Sequence, residues 1–229
     1  MREKGRRLTP ETVRCLKLAS YWPLYGLVFY CAEWIVRPTR FHVMHCWLDD
    51  HIPFCEWFFI PYLFWFVYLV GIHLYTFRWD KPAFEKLMRF IILSYTAALV
   101  IFFLWPTCQL LRPAVFPRDN LLTDLVAAFY RTDTNTNVCP SLHVVGSLAV
   151  WYAARETELF EHRGWRVFFH LTTALICVST VFLRQHSVLD VMAGLALSWT
   201  AGALVFRERE LRAQAECLQE RRRRRRMSW

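Results

Sequence analysis

Apolar residues fall into six long blocks, and charged residues are confined to the stretches between them. The blocks are 18–36 (LASYWPLYGLVFYCAEWIV), 56–77, 87–105, 140–154, 166–184 and 187–206. A membrane-spanning helix needs about 20 consecutive, mostly apolar residues. Several blocks are shorter or more polar than that ideal, yet their segregation from charge predicts an all-α, polytopic membrane protein with six transmembrane helices. The chain then divides into a basic leader at 1–17, a six-helix membrane domain at 18–206 and a basic tail at 207–229. No internal repeat is visible.

Two of the connecting stretches are long. Residues 37–55, RPTRFHVMHCWLDDHIPFC, are rich in Trp and His and read as an interfacial segment, with Asp49-Asp50-His51 in an exposed loop. Residues 106–139 exceed the ~15-residue length beyond which a loop in a compact protein is usually functional or disordered. The middle of that loop, LLTDLVAAFY, has the apolar period of a short amphipathic helix.

Composition narrows the class. Hydrophobic residues make up 55% of the 229 and aromatics 17%, with only 7 Gly and 10 Pro, which excludes a disordered chain, a collagen-like repeat and a Gly/Ser linker. The net charge of +9 would suit nucleic acid, but its placement reads as membrane topology instead. If both termini are cytoplasmic, 22 of the 28 Lys and Arg lie in the inner segments. The outer positions hold Arg37, Arg40, Arg112, Arg118, Arg131 and Arg184. That asymmetry orients the chain with both termini inside, and the run Arg221 to Arg226 then meets anionic headgroups. Nucleic acid is not an expected partner; membrane lipids are. The eight cysteines show no metal-like CxxC spacing and read as small apolar residues, with any disulfide unreadable. No cleavable signal peptide is expected. The small size fits a bacterial inner membrane, and a lumenal site in an organelle fits the topology equally well. The sequence leaves homo-oligomerisation open.

Ionisable residues at the mouth of membrane helices default to a functional reading. Pro140-Ser141-Leu142-His143 opens the fourth block, where a helix N-terminus offers free N–H groups and a positive dipole end to a phosphate. Ser141 adds a hydroxyl and His143 an acid. Arg184-Gln185-His186 forms the turn between the fifth and sixth blocks, with Asp190 one helical turn beyond His186, placed to orient the imidazole. Arg112 reaches the same face from the long loop. Together these residues suggest a phosphate-transfer site. The remaining histidines, His42, His45, His51, His73, His162 and His170, read as structural or interfacial, and Glu33 as a headgroup contact or a snorkelling side chain.

The sequence here resembles the type 2 phosphatidic acid phosphatase superfamily, whose pattern is three blocks, KxxxxxxRP, PSGH and SRxxxxxHxxxD. The matching stretches are WPTCQLLRP (Trp105 to Pro113), PSLH (Pro140 to His143) and STVFLRQHSVLD (Ser179 to Asp190). Trp105 stands for the family's Lys, Leu142 for its Gly and Thr180 for its Arg. The PSLH block, with Arg before Gln-His, is similar to the branch holding inositolphosphotransferases, and sphingomyelin synthases share a His-His-Asp site. The resemblance implies a nucleophilic His186 forming a phosphohistidine, oriented by Asp190. It implies that His143 protonates the leaving alcohol and then activates water or an acceptor alcohol. It gives the phosphoryl oxygens to Arg112, Arg184 and Ser141, and requires neither metal nor cofactor. The implied activity is hydrolysis of a lipid phosphomonoester or pyrophosphate at the outer face, with headgroup transfer to ceramide or diacylglycerol as the alternative.

Overall fold

The computed structural model describes residues 8–35 and 38–227, with side chains as far as residue 207. Residues 1–7 of the basic leader, Arg37 and the side chains of Arg221 to Arg226 lie outside the described residues. The chain is an all-α bundle. Its helices are α1 (Pro10–Ala19), α2 (Tyr21–Tyr30), α3 (Trp47–His51), α4 (Phe59–Trp79), α5 (Lys81–Leu104), α6 (Leu121–Thr132), α7 (Leu142–Glu156), α8 (Arg163–Phe182) and α9 (Val188–Met227). One two-residue parallel ladder, β1 (His42–Val43) with β2 (Thr107–Cys108), ties the two long connecting stretches together.

Four of the described helices are long and apolar enough to cross a membrane: Glu56–Trp79, Lys81–Leu104, Arg163–Phe182 and Val188–Arg207. The other two apolar blocks are helical but fall short of that length. The first is broken. Pro23 has no N–H to give the carbonyl of Ala19, and its ring crowds that carbonyl, so α1 stops at Ala19 and α2 starts after Ser20. α2 then ends in a π-turn, Cys31–Ile35. α1 lies against the start of α5, where Cys15 packs on Phe84 and Met88 and Arg14 pairs with Glu85 at 3.5 Å. Residues 10–17 of the expected leader are therefore a docked helix.

The other short block, α7, has only 15 residues and occupies the middle of the bundle, packed against α4, α5, α8 and α9. Its buried residues are Val144, Val145 and Val150 with five small ones, Gly146, Ser147, Ala149, Ala153 and Ala154; the small ones let neighbouring backbones approach closely where lipid supplies no hydrophobic drive. A Cβ on Gly146 would stand 2.7 Å from the Tyr95 hydroxyl and 2.9 Å from the Trp65 ring. A Cβ on Gly194 of α9 would stand 3.0 Å from Val144 Cβ and 3.1 Å from the Ser141 carbonyl oxygen. These contacts seat α7 between α4 and α9 at the end of the bundle that holds its N-terminus.

The linkers fix which ends meet. Only Asp80 separates α4 from α5, and it caps α5 by accepting from the Ala83 N–H at 3.0 Å. Successive helices therefore run antiparallel. The start of α4, the end of α5, the start of α7, the end of α8 and the start of α9 all share one end of the bundle. Lys81, Lys86, Arg155 and Arg163 sit at the other.

The 37–55 stretch is more than an exposed loop. Asp49 is 1% exposed and grips the start of α9. Its carboxylate accepts from Ser187 Oγ at 2.6 Å and from the Val188 N–H at 2.9 Å, while the Cys46 N–H donates to it at 2.8 Å. Burial raises the Asp49 carboxyl, but these hydrogen bonds outweigh it and hold the group below the usual carboxylate range. A lowered native pKa stabilises the fold above the unfolded value, and that stability is lost as pH falls through the native one.

Asp49→Asn turns an amide NH₂ toward buried donors. The expected loss is about 1–3 kcal/mol, read as a lower thermal midpoint in detergent, with a shallower acid limb than wild type. Gly194→Ala forces α9 away from α7 and is expected to cost about 1–3 kcal/mol by overpacking, whereas Gly71→Ala, with nothing within 4 Å of its Cβ, leaves the midpoint unchanged.

Candidate active site

The turn between α8 and α9 aims His186. α8 ends at Phe182, and Arg184 adopts the left-handed conformation (φ 53°) that reverses the chain. The Gln185 and His186 N–H groups both donate back to the Thr180 carbonyl, at 3.0 and 3.1 Å. Arg184 is an unusual residue for that conformation. Its guanidinium is tied to the carbonyls of Asp49 (2.7 Å) and Ile52, which fixes the turn against the 37–55 stretch.

α9 then starts with a reciprocal cap. Ser187 Oγ accepts from the Leu189 N–H at 3.1 Å, and Asp190 Oδ2 accepts from the Ser187 N–H at 2.9 Å. The same Asp190 oxygen faces His186 Nδ1 at 3.3 Å, and the Asp190 backbone carbonyl accepts from the Ser141 N–H at 3.1 Å. Asp190 thus joins the N-termini of α9 and α7 and orients the imidazole between them. The Ser-x-x-Asp spacing is a capping signal readable from sequence.

α7 begins at Leu142, so Pro140 precedes the N-cap and Ser141 is the N-cap itself. The Ser141 side chain is fully buried and its Oγ has no hydrogen-bond partner. In the first turn, His143 is held between two rings of α4, with centroids 4.2 Å from Tyr62 and 4.4 Å from Trp65. Its Nε2 is buried without a partner. The His143 and His186 ring centroids are 5.9 Å apart. With Nδ1–H directed at Asp190, His186 keeps the Nε2 lone pair for chemistry.

Both histidines line a cleft of about 140 Å³ at this end of the bundle. Its other walls come from Phe29, Glu33 and Trp34 at the end of α2, from Tyr62, and from the 132–138 stretch after α6. The loop helix predicted within 106–139 is present as α6, capped by Asn120.

The two arginines take different places. Arg112 stands behind the cleft wall. It donates to Gln185 Oε1 at 2.6 and 3.0 Å and to the carbonyls of Tyr130, Asp133 and Thr134 at 2.9 to 3.0 Å. It reaches the cleft only through Gln185. Arg184 faces Asp49 and Ile52, as described. The structure therefore brings His143, His186, Asp190 and Ser141 together, while the guanidiniums of Arg112 and Arg184 serve protein carbonyls around them.

Several contributors were missed by sequence reading. Tyr62 and Trp65 sit at i,i+3 in an aromatic block that reads first as an interface belt. Glu33 accepts from Thr134 Oγ1 (2.5 Å), Asn137 Nδ2 (2.6 Å) and Thr136 Oγ1 (2.9 Å), so it ties the 134–137 stretch to α2. Asp133 accepts from Tyr62 (3.2 Å) and Gln185 (2.8 Å), linking the ring on His143 to the neighbour of His186. Burial raises the Asp133 carboxyl against the pull of His186, Arg112 and the Tyr62 hydroxyl, with Glu33 adding to the rise. Cys139 is a poor rival nucleophile: burial and the neighbouring Asp190 push its thiol up to about 12.

The family model of the PAP2 superfamily matches residues 33–204. No curated protein and no solved structure matches the chain. The matched span takes in every residue of the cleft except Phe29, and it contains the three sequence blocks in the family's order. It supports phosphatase- or phosphotransferase-type chemistry on lipid phosphates, carried by helices that make this an integral membrane protein. The chain belongs to the PAP2 superfamily.

Proposed function

We propose that this protein transfers the phosphoryl group of a membrane lipid through a phosphohistidine on His186, without a metal. The observation that carries the reading is the pair His143 and His186, 5.9 Å apart, with Asp190 on the far nitrogen of His186. His186 Nε2 attacks phosphorus. The N–P bond forms as the P–O bond to the leaving alcohol breaks, and His143 protonates the alkoxide oxygen. His143 then takes a proton from water or an acceptor alcohol, whose oxygen displaces Nε2 and releases the product. Hydrolysis and headgroup transfer share these residues and differ only in the second nucleophile.

Charge must be stabilised while it redistributes over the phosphoryl oxygens. The first-turn N–H groups of α7 have no intrahelical acceptors, and they open beside His143 with the positive end of the helix dipole. Ser141 adds its hydroxyl. Phosphate contact by Arg112 requires it to exchange carbonyl partners, and as placed it holds Gln185 and the 130–134 stretch in position. Arg184 acts likewise on the turn. The substrate's negative charge compensates the proton that His143 carries in apolar surroundings.

The site end of the bundle is the extracytoplasmic one in this reading, with both termini cytoplasmic in a bacterial inner membrane. The supporting feature is the excess of Lys and Arg at the opposite end. The partners are the lipid substrate and bilayer lipids.

His143→Gln is expected to lower turnover of a lipid phosphate by about 10²–10⁴-fold, the range of a general acid. It should slow the first-turnover burst of p-nitrophenol from p-nitrophenyl phosphate far less, because that leaving group needs no proton, while later turnovers still need His143 as base and slow with it. His186→Ala should abolish both, and EDTA should change neither wild-type rate. Equal losses in the first turnover of the two substrates in His143→Gln would remove the general-acid role.

A further inference from the structure

The cleft has an unexpected charge balance for an enzyme acting on phosphates. Its charged walls, apart from the two histidines, are Glu33 and Asp133, and no Lys or Arg side chain lines it among the described residues. The two nearby guanidiniums are occupied by protein carbonyls. A phosphomonoester dianion or a pyrophosphate placed against His186 would meet two carboxylates with no guanidinium or ammonium opposite. Gln185, Asn137, Thr134 and Thr136 also line the cleft, but each already donates to Asp133 or Glu33, which leaves the histidines to meet a phosphate. His143 Nε2 is buried and unpartnered, and His186, 8% exposed, turns its free edge into the cleft.

The carboxylates are also fixed in place. Three donors from the 134–137 stretch hold Glu33, and Tyr62 and Gln185 hold Asp133. Preorganised groups lose little freedom when a ligand arrives. Beside Glu33 stand the Trp34 and Phe29 rings. Aromatic faces next to carboxylates are the surroundings that attract an alkylammonium ion.

We propose that the cleft takes a zwitterionic phospholipid: a phosphodiester whose phosphate meets His186 and the α7 N-terminus, and whose ammonium headgroup is held by Glu33 and Asp133 against Trp34. The assignment rests on the phosphoryl-transfer reading of the same cleft and names its substrate class. It also accounts for a repulsive pair. Glu33 adds to the cost of the Asp133 charge, which His186 and Arg112 only partly offset, and a bound cation relieves it further. Phosphodiesters carry one negative charge where phosphomonoesters carry up to two, so the single anionic centre suits a site built from helix amides and imidazoles.

The test separates binding from turnover. Binding is measured by tryptophan fluorescence on the full-length His186→Ala protein in detergent, with glycerophosphocholine and glycerol 3-phosphate as probes. Glycerophosphocholine should bind at least 10-fold tighter. Adding Glu33→Gln should erase that preference. Trp34→Ala, at an exposed position that leaves the Glu33 hydrogen bonds intact, should reduce it at least 3-fold. Equal or tighter binding of glycerol 3-phosphate, binding of neither probe, or a preference that survives both substitutions overturns the proposal. Turnover is measured with wild type in vesicles of phosphatidylcholine, phosphatidylethanolamine or phosphatidic acid. Faster turnover of the ammonium lipids is expected, with Glu33→Gln raising KM for them and not for phosphatidic acid. Faster turnover of phosphatidic acid sinks the headgroup assignment and leaves phosphoryl transfer standing. A Glu33-dependent preference in binding with no lipid turned over does the reverse.

Discussion

Asp190 is the joint on which this site depends. Its backbone carbonyl holds the Ser141 N–H at the start of α7, and its side chain holds the Ser187 N–H and His186 Nδ1 at the start of α9. Two helix N-termini normally repel, because each carries about half a positive charge. The buried Asp190 carboxylate offsets that charge at the start of α9, and the same carboxylate directs the His186 ring. Helix capping and orientation of the His186 ring are therefore one interaction. The site is consequently stiff: His186 cannot turn without disturbing the start of α9, and α9 cannot shift without disturbing Ser141.

The rest of the bundle serves that joint at a distance. Small residues along α7 let it sit between α4 and α9, which brings Tyr62 and Trp65 onto the faces of His143. Asp49 secures the start of α9, and Arg184 ties the preceding turn to the same stretch of chain. Arg112, through Gln185 and three carbonyls, braces the loop after α6. Polar groups that sequence reading assigns to a phosphate are thus divided. The histidines line the cleft, Ser141 is buried beneath it at the start of α7, and the guanidiniums brace the chain around it.

Much of this was legible in sequence because the chemistry is local. His186 and Asp190 are one turn apart on one helix, and PSLH marks a helix start. The apolar period of 121–130 gave α6, and the segregation of charge gave an all-α membrane protein. The helix breaks were less legible. Pro23 divides the first block, and the span of α7 is short because four neighbours, rather than lipid, surround most of it. The long-range partners were least legible. Asp49 lies 138 residues before the Ser187 hydroxyl it accepts from, and Glu33 lies 101 residues before Thr134. Nothing local distinguishes a carboxylate that will be buried against a helix start from one left in water. Arg112 and Arg184 have the same difficulty: a guanidinium near a phosphate motif reads as a ligand until its own acceptors are known.

The central claim is a covalent bond between His186 and phosphorus. The most direct measurement is rapid quenching of the protein in alkaline detergent during turnover of a ³²P-labelled lipid, followed by peptide mapping at alkaline pH. The account predicts one acid-labile, base-stable phosphate on His186 in wild type, absent in His186→Ala. Turnover without any such adduct in rapidly quenched wild type, or label on a residue other than His186, would contradict it.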